Sequence, residues 1–366
     1  MVYRAVGVMS GSSLDGLDIV FASFEENRGV WSYEIIAAET CEYSDEWQRR
    51  LEQATGLSAY DYLQLHAAYG KWIGEQVNLF IQKHNLYHQV QLIASHGHTV
   101  FHAPQNGFTA QLGCGAAIAA TTGINVVNDL RIMDVALGGQ GAPIVPAGEK
   151  FLFKDFDLLL NIGGIANITC KTSEEYIAFD ICAANRILNT LAAKKEKPYD
   201  ENGLMAAEGT AHDGLLEHLD LFTYYSQPFP KSLDNSFGLQ TVLPIIESFG
   251  QIGINDALRT YTEHIAIQVR NALQRISEFY TLPNKQVLVT GGGAFNTFLI
   301  NKLQQELEPL GFQLILPEAN IISYKEALIM ALLGLLRWRE ENTVLQSVTG
   351  AARSSIGGAV WMGQEA

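Results

Sequence analysis

Apolar residues along the chain follow two cycles with the same order of elements. The first cycle opens with three strand-like runs joined by short loops, which predict an antiparallel meander: Tyr3–Met9, Leu17–Phe24 and Trp31–Ala38. Apolar positions three and four residues apart then predict two helices, Asp45–Ala54 and Ser58–Asn85. Three short strands and one helix of small residues complete the cycle: Leu92–Ser95, Thr109–Leu112, Ala116–Thr122 and Ile124–Asn128.

The second cycle repeats this order with little sequence identity. Its strands are predicted at Leu158–Ile162, Ala166–Cys170 and Tyr176–Phe179, and the third ends at Asp180. Helical periodicity then dominates, with two further strands at Gln286–Thr290 and Phe312–Leu316 and a strand-like tail at Ser355–Trp361. The predicted helices are Ala184–Lys195, His212–Tyr225, Val242–Phe249, Ile254–Tyr280, Phe295–Leu307 and Tyr324–Arg339. The pattern predicts a duplicated α/β fold.

Glycine-rich turns directly follow three of the apolar strands. The first contains Gly11, Ser12, Ser13, Leu14, Asp15, Gly16, Leu17 and Asp18; the others contain Gly163 with Gly164, and Gly291, Gly292 and Gly293. Backbone N–H groups of such turns can surround an anion, and Asp15 or Asp18 could direct a divalent cation. No P-loop sequence is present. Phosphate binding is therefore the favoured hypothesis, and tight turning alone is the alternative.

Length and composition are consistent with this interpretation. A chain of 366 residues with 48% hydrophobic residues is expected to form two domains. A net charge of −15 argues against nucleic acid or an anionic membrane as the main partner. The four cysteines form no Cys-x-x-Cys pair, no signal-peptide pattern is seen, and the apolar segment Ala327–Leu336 is short for a membrane span. We expect a soluble cytoplasmic protein.

The chain resembles the anhydro-N-acetylmuramic acid kinases of the actin/hexokinase/Hsp70-like ATPase superfamily. Six segments carry the resemblance, in the family's order: Met9–Asp18, Ser95–His102, Gly138–Pro146, Asn161–Ile168, Gly291–Asn296 and Ser347–Ala351. Each segment is weak evidence alone, and the ordered set is highly specific.

The resemblance implies two RNase H-like α/β domains with an ATP cleft between them. Residues 1–133 plus 339–366 would form one domain and residues 134–338 the other. The glycine-rich sequence Gly138–Pro143 is itself the expected hinge or crossover. The resemblance also implies an ATP- and Mg²⁺-dependent kinase, commonly a homodimer. Such an enzyme opens the 1,6-anhydro ring of anhydro-N-acetylmuramic acid with water and phosphorylates O6 in peptidoglycan recycling.

Three residues match family positions that act on the sugar, and His96 is a further candidate. Asp180 matches the general base, with capping of the next helix as the alternative. Arg131 and Glu326 match sugar-binding residues, whose alternatives are an inter-domain ion pair and an exposed acid in a first helical turn. For His96, hydrogen bonding to the substrate is favoured over a structural role. Metal binding by His96, His98 and His102 is disfavoured because their spacing is not a helical ligand spacing.

Three segments depart from the family pattern. Ile181–Asn185 replaces Thr-Gly-Pro-Gly-Asn, Phe229–Asn235 replaces Pro-Pro-Lys-Ser-Thr-Gly-Arg, and Gln111–Gly115 differs from the commoner form. These changes leave two alternatives open besides the family's activity. One is a kinase of the same fold for another sugar or small acid, and the other is a non-catalytic ATP-binding regulator.

Overall fold

The chain folds into two compact units. The computed structural model describes residues 1–11, 14, 16–234 and 236–364. The first unit consists of Met1–Lys154 and Tyr324–Ala366, and the second is Asp155–Ser323.

The units divide after Lys154 and before Tyr324, whereas the sequence-based prediction placed the divisions after residue 133 and before residue 339. Two buried contacts tie the intervening residues to the first unit. Asp134 Oδ1 accepts a hydrogen bond from Thr349 Oγ1 at 2.7 Å. Glu149 pairs with Lys325, with 2.6 Å between Oε1 and Nζ.

Thirteen strands are present in the described part of the chain. In chain order, β1 to β13 are Val2–Ser10, Gly16–Asn27, Val30–Glu42, Leu92–Ser95, His98–Ala103, Phe108–Leu112, Val126–Asn128, Leu158–Ile162, Ile165–Lys171, Tyr176–Ala183, Gln286–Thr290, Gln313–Ile315 and Ala359–Trp361. Both predicted meanders are confirmed, since β1 to β3 and β8 to β10 each pair antiparallel in succession.

Fourteen α-helices accompany the strands in the described residues. In chain order, α1 to α14 are Asp45–Glu52, Ala59–Lys83, Gly115–Thr122, Ile132–Ala136, Val145–Leu152, Asn185–Ala193, Leu204–Glu208, Asp213–Asp220, Thr223–Ser226, Leu243–Ser248, Ile254–Phe279, Thr297–Leu307, Ala319–Trp338 and Gln346–Thr349. Local capping explains several starts: Ser44, Ser58 and Asn296 each accept a backbone N–H in the first turn of α1, α2 and α12.

The main sheets of the two units share one topology. The first is ordered β13-β7-β4-β1-β2-β3 and the second β10-β9-β8-β11-β12. In each, the first strand pairs antiparallel with the second and parallel with the fourth, and the fourth pairs parallel with the fifth. Both sheets therefore share the order 3-2-1-4-5, as expected for a pair of RNase H-like units, and β13 adds a sixth strand beside β7 in the first sheet.

Each unit has its own hydrophobic core. The core of the first unit gathers buried residues of β1, β2, α2 and α3, such as Phe21, Ile73 and Ile118. The core of the second packs β8 to β11 against α6, α11 and α12, with Tyr261 and Leu303 among the fully buried side chains. Both cores bury enough apolar surface to support a folded unit.

The helix α13 is longer than predicted, and its length corrects the sequence-based argument about membranes. Ala319–Trp338 is long and apolar enough to cross a membrane by length and composition. The length of this segment therefore does not exclude a membrane span. About two thirds of this apolar window (67%) is buried inside the protein. Gly7 of β1 and Gly334 of α13 let the helix lie directly on the sheet, because a Cβ at either would collide with the facing Ala327 or Ala94. This packing is that of a core helix.

Candidate active site

The central candidate, Asp180, lies on β10 in the second unit. A bulge between Asp180 and Cys182 interrupts the pairing of β10 with β9. The next helix, α6, starts at Asn185 with no side-chain cap, so Asp180 does not have the capping role that was its alternative. A bulge changes the direction in which neighbouring side chains point, and Asp180 lies directly beside this one.

Three hydrogen bonds from neighbouring segments hold Asp180 in place. Leu233 N donates to Asp180 Oδ2 at 2.8 Å, and Asp180 N donates to Lys231 O at 3.1 Å. Tyr224 Oη donates to Asp180 O at 2.6 Å. The other carboxylate oxygen, Oδ1, accepts no hydrogen bond from a residue that the structure describes. One oxygen is therefore fixed, and the other can accept a proton.

Burial raises the pKa of Asp180 to about 6, and the Leu233 N–H opposes this rise. Desolvation disfavours the charged carboxylate, whereas a hydrogen bond to the carboxylate favours it. A carboxyl group with a pKa near 6 is ionised at neutral pH and more basic than an ordinary aspartate. This suits a general base.

The two glycine turns of the second unit lie beside one another. Asn185 joins them, since its Nδ2 donates to Ile162 O at 3.0 Å and lies 3.5 Å from the position of a Cβ at Gly292. The segment after Asp180, whose sequence departs from the family pattern, is hydrogen-bonded to the first of these turns. Ala184 N donates to Gly164 O at 2.8 Å, and Asn185 N donates to Gly163 O at 3.0 Å. The structure thus brings both predicted turns and the altered segment together.

The five glycines of these turns differ in why they are glycines. A Cβ at Gly291 would lie 2.7 Å from Asn161 Oδ1, and Gly291 has φ +81°. A Cβ at Gly293 would lie 2.3 Å from Ile162 Cγ2. Packing explains these two. At Gly163, Gly164 and Gly292 a Cβ would meet only ordinary contacts of 3.5 Å or longer, and none has positive φ. Internal packing therefore does not require glycine at these three positions.

The first glycine turn lies partly outside the described residues, which omit Ser12, Ser13 and Asp15. Among the described members, Gly16 and Leu17 have structural roles: a Cβ at Gly16 would lie 2.5 Å from Thr40 Cγ2, and Leu17 is fully buried in the core. Gly11 lies between β1 and β2, and Leu14 has φ +57°. Asp18 is partly exposed on β2, where Oδ1 accepts a hydrogen bond from Thr40 Oγ1 at 2.6 Å.

Arg131 and His96 are joined in the first unit. Arg131 Nε donates to His96 Nε2 at 2.8 Å, and Nη1 donates to Gly141 O at 3.1 Å. His96 Nδ1 in turn lies 2.8 Å from Gly97 O. Burial lowers the pKa of His96 to about 3, so the ring is neutral, with its proton on Nδ1. Both ring nitrogens are thus engaged, and His96 acts on Arg131 within this unit.

Glu326 belongs to α13 and lies near the guanidinium of Arg131. Burial raises the pKa of Glu326, while the charges of Lys325 and Arg131 oppose the rise. Because α13 begins at Ala319, Glu326 is not in a first helical turn, and the alternative of an exposed acid there is wrong. Arg131 has a pKa lowered to about 10 by burial, and it stays protonated at neutral pH. The pair offers a cation and an acid to a polar ligand.

His98 ends a chain of buried hydrogen bonds. Tyr69 and Tyr43 share a hydrogen bond of 2.6 Å, Tyr43 Oη donates to Ser10 Oγ at 2.8 Å, and Ser10 Oγ lies 3.1 Å from His98 Nδ1. His102 instead lies 3.1 Å from Thr109 Oγ1. Within the part of the chain that the structure describes, no group of three His, Cys, Asp or Glu side chains could hold a metal ion.

Comparison with known proteins identifies the family. A family model described as "Anhydro-N-acetylmuramic acid kinase" matches residues 3–363. Curated relatives with that same name include proteins of Shewanella sediminis, 35% identical over 97% of this chain and 98% of the relative, and Synechococcus elongatus, 34% identical over 98% and 99%. A relative from Vibrio cholerae is 33% identical over 97% of each chain.

Among solved structures, the chain matches the activator of the 2-hydroxyisocaproyl-CoA dehydratase from Clostridium difficile with bound ADPNP. It is 15% identical, with a TM-score of 0.43, and the match covers 92% of this chain and 96% of that one. The family assignment depends instead on the family model and the curated relatives. By both, the chain belongs to the anhydro-N-acetylmuramic acid kinase family.

Proposed function

We propose that this protein uses ATP and water to convert 1,6-anhydro-N-acetylmuramic acid into N-acetylmuramic acid 6-phosphate, a step of peptidoglycan recycling. The observation that carries the proposal is the state of Asp180. Its carboxylate is buried, has a pKa of about 6, and is fixed at Oδ2 by Leu233 while Oδ1 accepts no described hydrogen bond. Membership of the family supplies the substrate class.

Asp180 would act as the general base. Water attacks the anomeric carbon and gives a proton to Asp180 Oδ1 while the bond between that carbon and O6 breaks. The electron pair released on O6 forms the bond to the γ-phosphorus, and ADP departs. A base with a pKa near 6 accepts this proton readily at neutral pH and returns it to solvent afterwards.

Arg131 and Glu326 would bind the sugar. A guanidinium matches the lactyl carboxylate of muramic acid with two parallel hydrogen bonds, and Glu326 can accept from a hydroxyl or amide. His96 was expected to bind the substrate itself. Its two engaged nitrogens instead support a role in orienting Arg131.

The glycine turns would bind ATP. Gly163, Gly164 and Gly292 leave backbone accessible where a side chain would otherwise stand, which fits contact with phosphate or ribose. Mg²⁺ is usually held by one or two carboxylates together with substrate phosphates and water, so the site needs no three-residue cluster. Asp18 and Asp15 are the residues that would hold it, and the ion would neutralise charge on the phosphates.

We further infer a cytoplasmic homodimer with small-molecule substrates only. The family resemblance supports both the location and the dimer, and the net charge of −15 disfavours nucleic acid or an anionic membrane as a partner. Light scattering after size-exclusion chromatography tests the dimer, which requires twice the mass of one 40.2 kDa chain.

The first prediction concerns turnover and Asp180. Purified protein incubated with ATP, Mg²⁺ and 1,6-anhydro-N-acetylmuramic acid should release ADP and the 6-phosphate. Activity should fall as the pH drops below about 6, because the base must be ionised. Asp180→Asn should lower kcat by about 10²–10⁴-fold and leave ATP affinity unchanged, since the amide cannot accept the proton.

Asp213→Asn is the matched control, because Asp213 is an exposed aspartate of the same unit in the first turn of α8. It should retain full activity. ATP binding without any product from the wild-type protein would reject the proposed reaction. Full activity of Asp180→Asn would reject the general-base assignment alone.

A further inference from the structure

We propose that Lys231 is a positioning residue for Asp180, anchoring the segment whose backbone fixes the carboxylate. Lys231 belongs to Phe229–Asn235, a segment that departs from the family pattern at other positions but keeps its lysine. The proposal rests on the proposed function for its kinetic readout, and it has a second readout that does not depend on turnover.

The side chain of Lys231 is anchored to backbone carbonyls and to an aromatic ring. Its Nζ donates to Tyr224 O at 2.8 Å and to Tyr225 O at 3.1 Å. The same ammonium lies 4.4 Å from the centroid of the Tyr224 ring, within cation–π range. These three contacts fix the position of residue 231 against the α9 turn.

The backbone on either side of this anchor contacts Asp180. Lys231 O accepts from Asp180 N at 3.1 Å, and two residues later Leu233 N donates to Asp180 Oδ2 at 2.8 Å. Tyr224 contacts both residues: its hydroxyl donates to Asp180 O at 2.6 Å, and its backbone carbonyl accepts from Lys231 Nζ. One ammonium therefore organises hydrogen bonds at the N–H, the carbonyl and the carboxylate of the same aspartate.

The ammonium group of Lys231 is stabilised without a carboxylate partner. No carboxylate of a described residue lies within ion-pair distance of it, so carbonyl dipoles and the ring face hold the ammonium. Burial, with a smaller contribution from the positive charge of Arg275, lowers the pKa of Lys231 to about 8. The anchor is therefore protonated at neutral pH.

Loss of the anchor should raise the pKa of Asp180. The Leu233 N–H is what opposes the effect of burial on that carboxyl, and it is delivered by the anchored segment. The titratable neighbours of Asp180 are Lys231, Tyr224 and Cys182. Lys231 has a pKa of about 8, and burial raises the pKa of Tyr224 and Cys182, so none of the three titrates near pH 6. A change in the acidic limb of activity therefore reports on Asp180.

The test compares Lys231→Met with Arg275→Met. Arg275 is a matched control, because it also donates to two carbonyls, of Ser226 and Gln227, and lines a surface pocket together with Lys231. It makes no hydrogen bond to a described residue that contacts Asp180. The measurements are the pH profile of kcat/KM and amide hydrogen exchange at Leu233.

Lys231→Met should move the acidic limb of kcat/KM upward by about one pH unit, a tenfold loss of kcat/KM at pH values below both limbs. It should also increase exchange at the Leu233 amide. Arg275→Met should change neither. Lys231→Arg, which keeps a cation with several donors, should restore the limb and the protection.

An unchanged limb in Lys231→Met, or an equal shift in Arg275→Met, overturns the proposal. Should Lys231→Met fail to fold, Lys231→Gln replaces it, since the amide keeps one donor and a smaller upward shift is expected. If the wild-type protein has no activity toward the sugar, exchange still decides. Faster exchange of the Leu233 amide in Lys231→Met, but not in Arg275→Met, supports the anchoring role of Lys231. Equal exchange of that amide in the two variants rejects it.

Discussion

Single residues at this site act through neighbours that the sequence did not connect to them. Asp180, Arg131 and Glu326 were each chosen on a local motif. The structure shows that Leu233 and Lys231 hydrogen-bond Asp180 and that His96 hydrogen-bonds Arg131. Such partners are 35 to 53 residues away in the chain, and no local pattern records that distance. Sequence could suggest which side chains react, and it could not show what holds them.

The histidine beside Arg131 gives a prediction at this scale. His96→Phe should raise KM for the anhydro sugar by about tenfold with a smaller change in kcat. Phenylalanine keeps a planar aromatic ring but lacks the nitrogen that accepts from Arg131 Nε at 2.8 Å. A charged donor left without its partner costs at least about 1–3 kcal/mol or forces the guanidinium to move. Steady-state kinetics with varied sugar measures the effect.

His102→Phe is the control for that variant. His102 is also kept neutral by burial, but it hydrogen-bonds Thr109 and makes no hydrogen bond to Arg131. Its KM should remain close to the wild-type value. A wild-type KM in His96→Phe would show that Arg131 is held without the imidazole, or that Arg131 does not bind the sugar.

Among whole elements, α13 shows how the fold brings residues to the site. The helix carries Lys325 and Glu326, and it contacts β1 at Gly7, where a Cβ would lie 1.8 Å from Ala327 O. No rotamer change can relieve a collision between a Cβ and a backbone carbonyl. The position of Glu326 therefore depends on a glycine in the first strand.

Gly7→Ala should destabilise the protein by about 1–3 kcal/mol or more, because the helix must move away from the sheet. For a unit of this size each kcal/mol lowers Tm by about 2–4 °C. The control is Gly56→Ala in the same unit, where nothing lies within 4 Å of the new Cβ. Thermal unfolding measures both, and a Tm for Gly7→Ala equal to that of the control would contradict the prediction.

Elements with strong periodicity were predicted well, and irregular ones were not. The strands of both meanders and the long helix α11 match their predicted positions within a few residues. The prediction missed β5, α4, α5, α7 and α14, and it joined α8 and α9 into one helix. Each missed element except α5 has six residues or fewer, too few for a periodic pattern to emerge. Tertiary contacts, such as Asp134 with Thr349 beside α4, stabilise these short pieces instead.

Across the whole molecule, the shared strand order is the strongest agreement between sequence and structure. The repeated order of strand, glycine turn and two further strands predicted duplication, and both sheets share the five-strand order 3-2-1-4-5. The exact division of the chain did not follow from the sequence. Buried contacts such as Glu149 with Lys325 assign residues to a unit, and these pairs are distant along the chain.

The second unit is continuous in sequence, and this leads to a last prediction. Residues 155–323 contain their own core and the whole network of Asp180, Tyr224, Lys231 and Leu233. A fragment of these residues should therefore unfold cooperatively on its own and protect the Leu233 amide from exchange. Circular dichroism during heating and amide exchange measure the two properties.

The fragment 1–154 is the informative counterpart, because it should not fold cooperatively. It lacks β13, which pairs with β7, and the part of α13 that covers Gly7 on the sheet. Removing that helix exposes apolar sheet surface to water, and a sheet needs its face covered to be stable. Non-cooperative melting of 155–323, or cooperative melting of 1–154, would show that the two compact units are not the folding units of this chain.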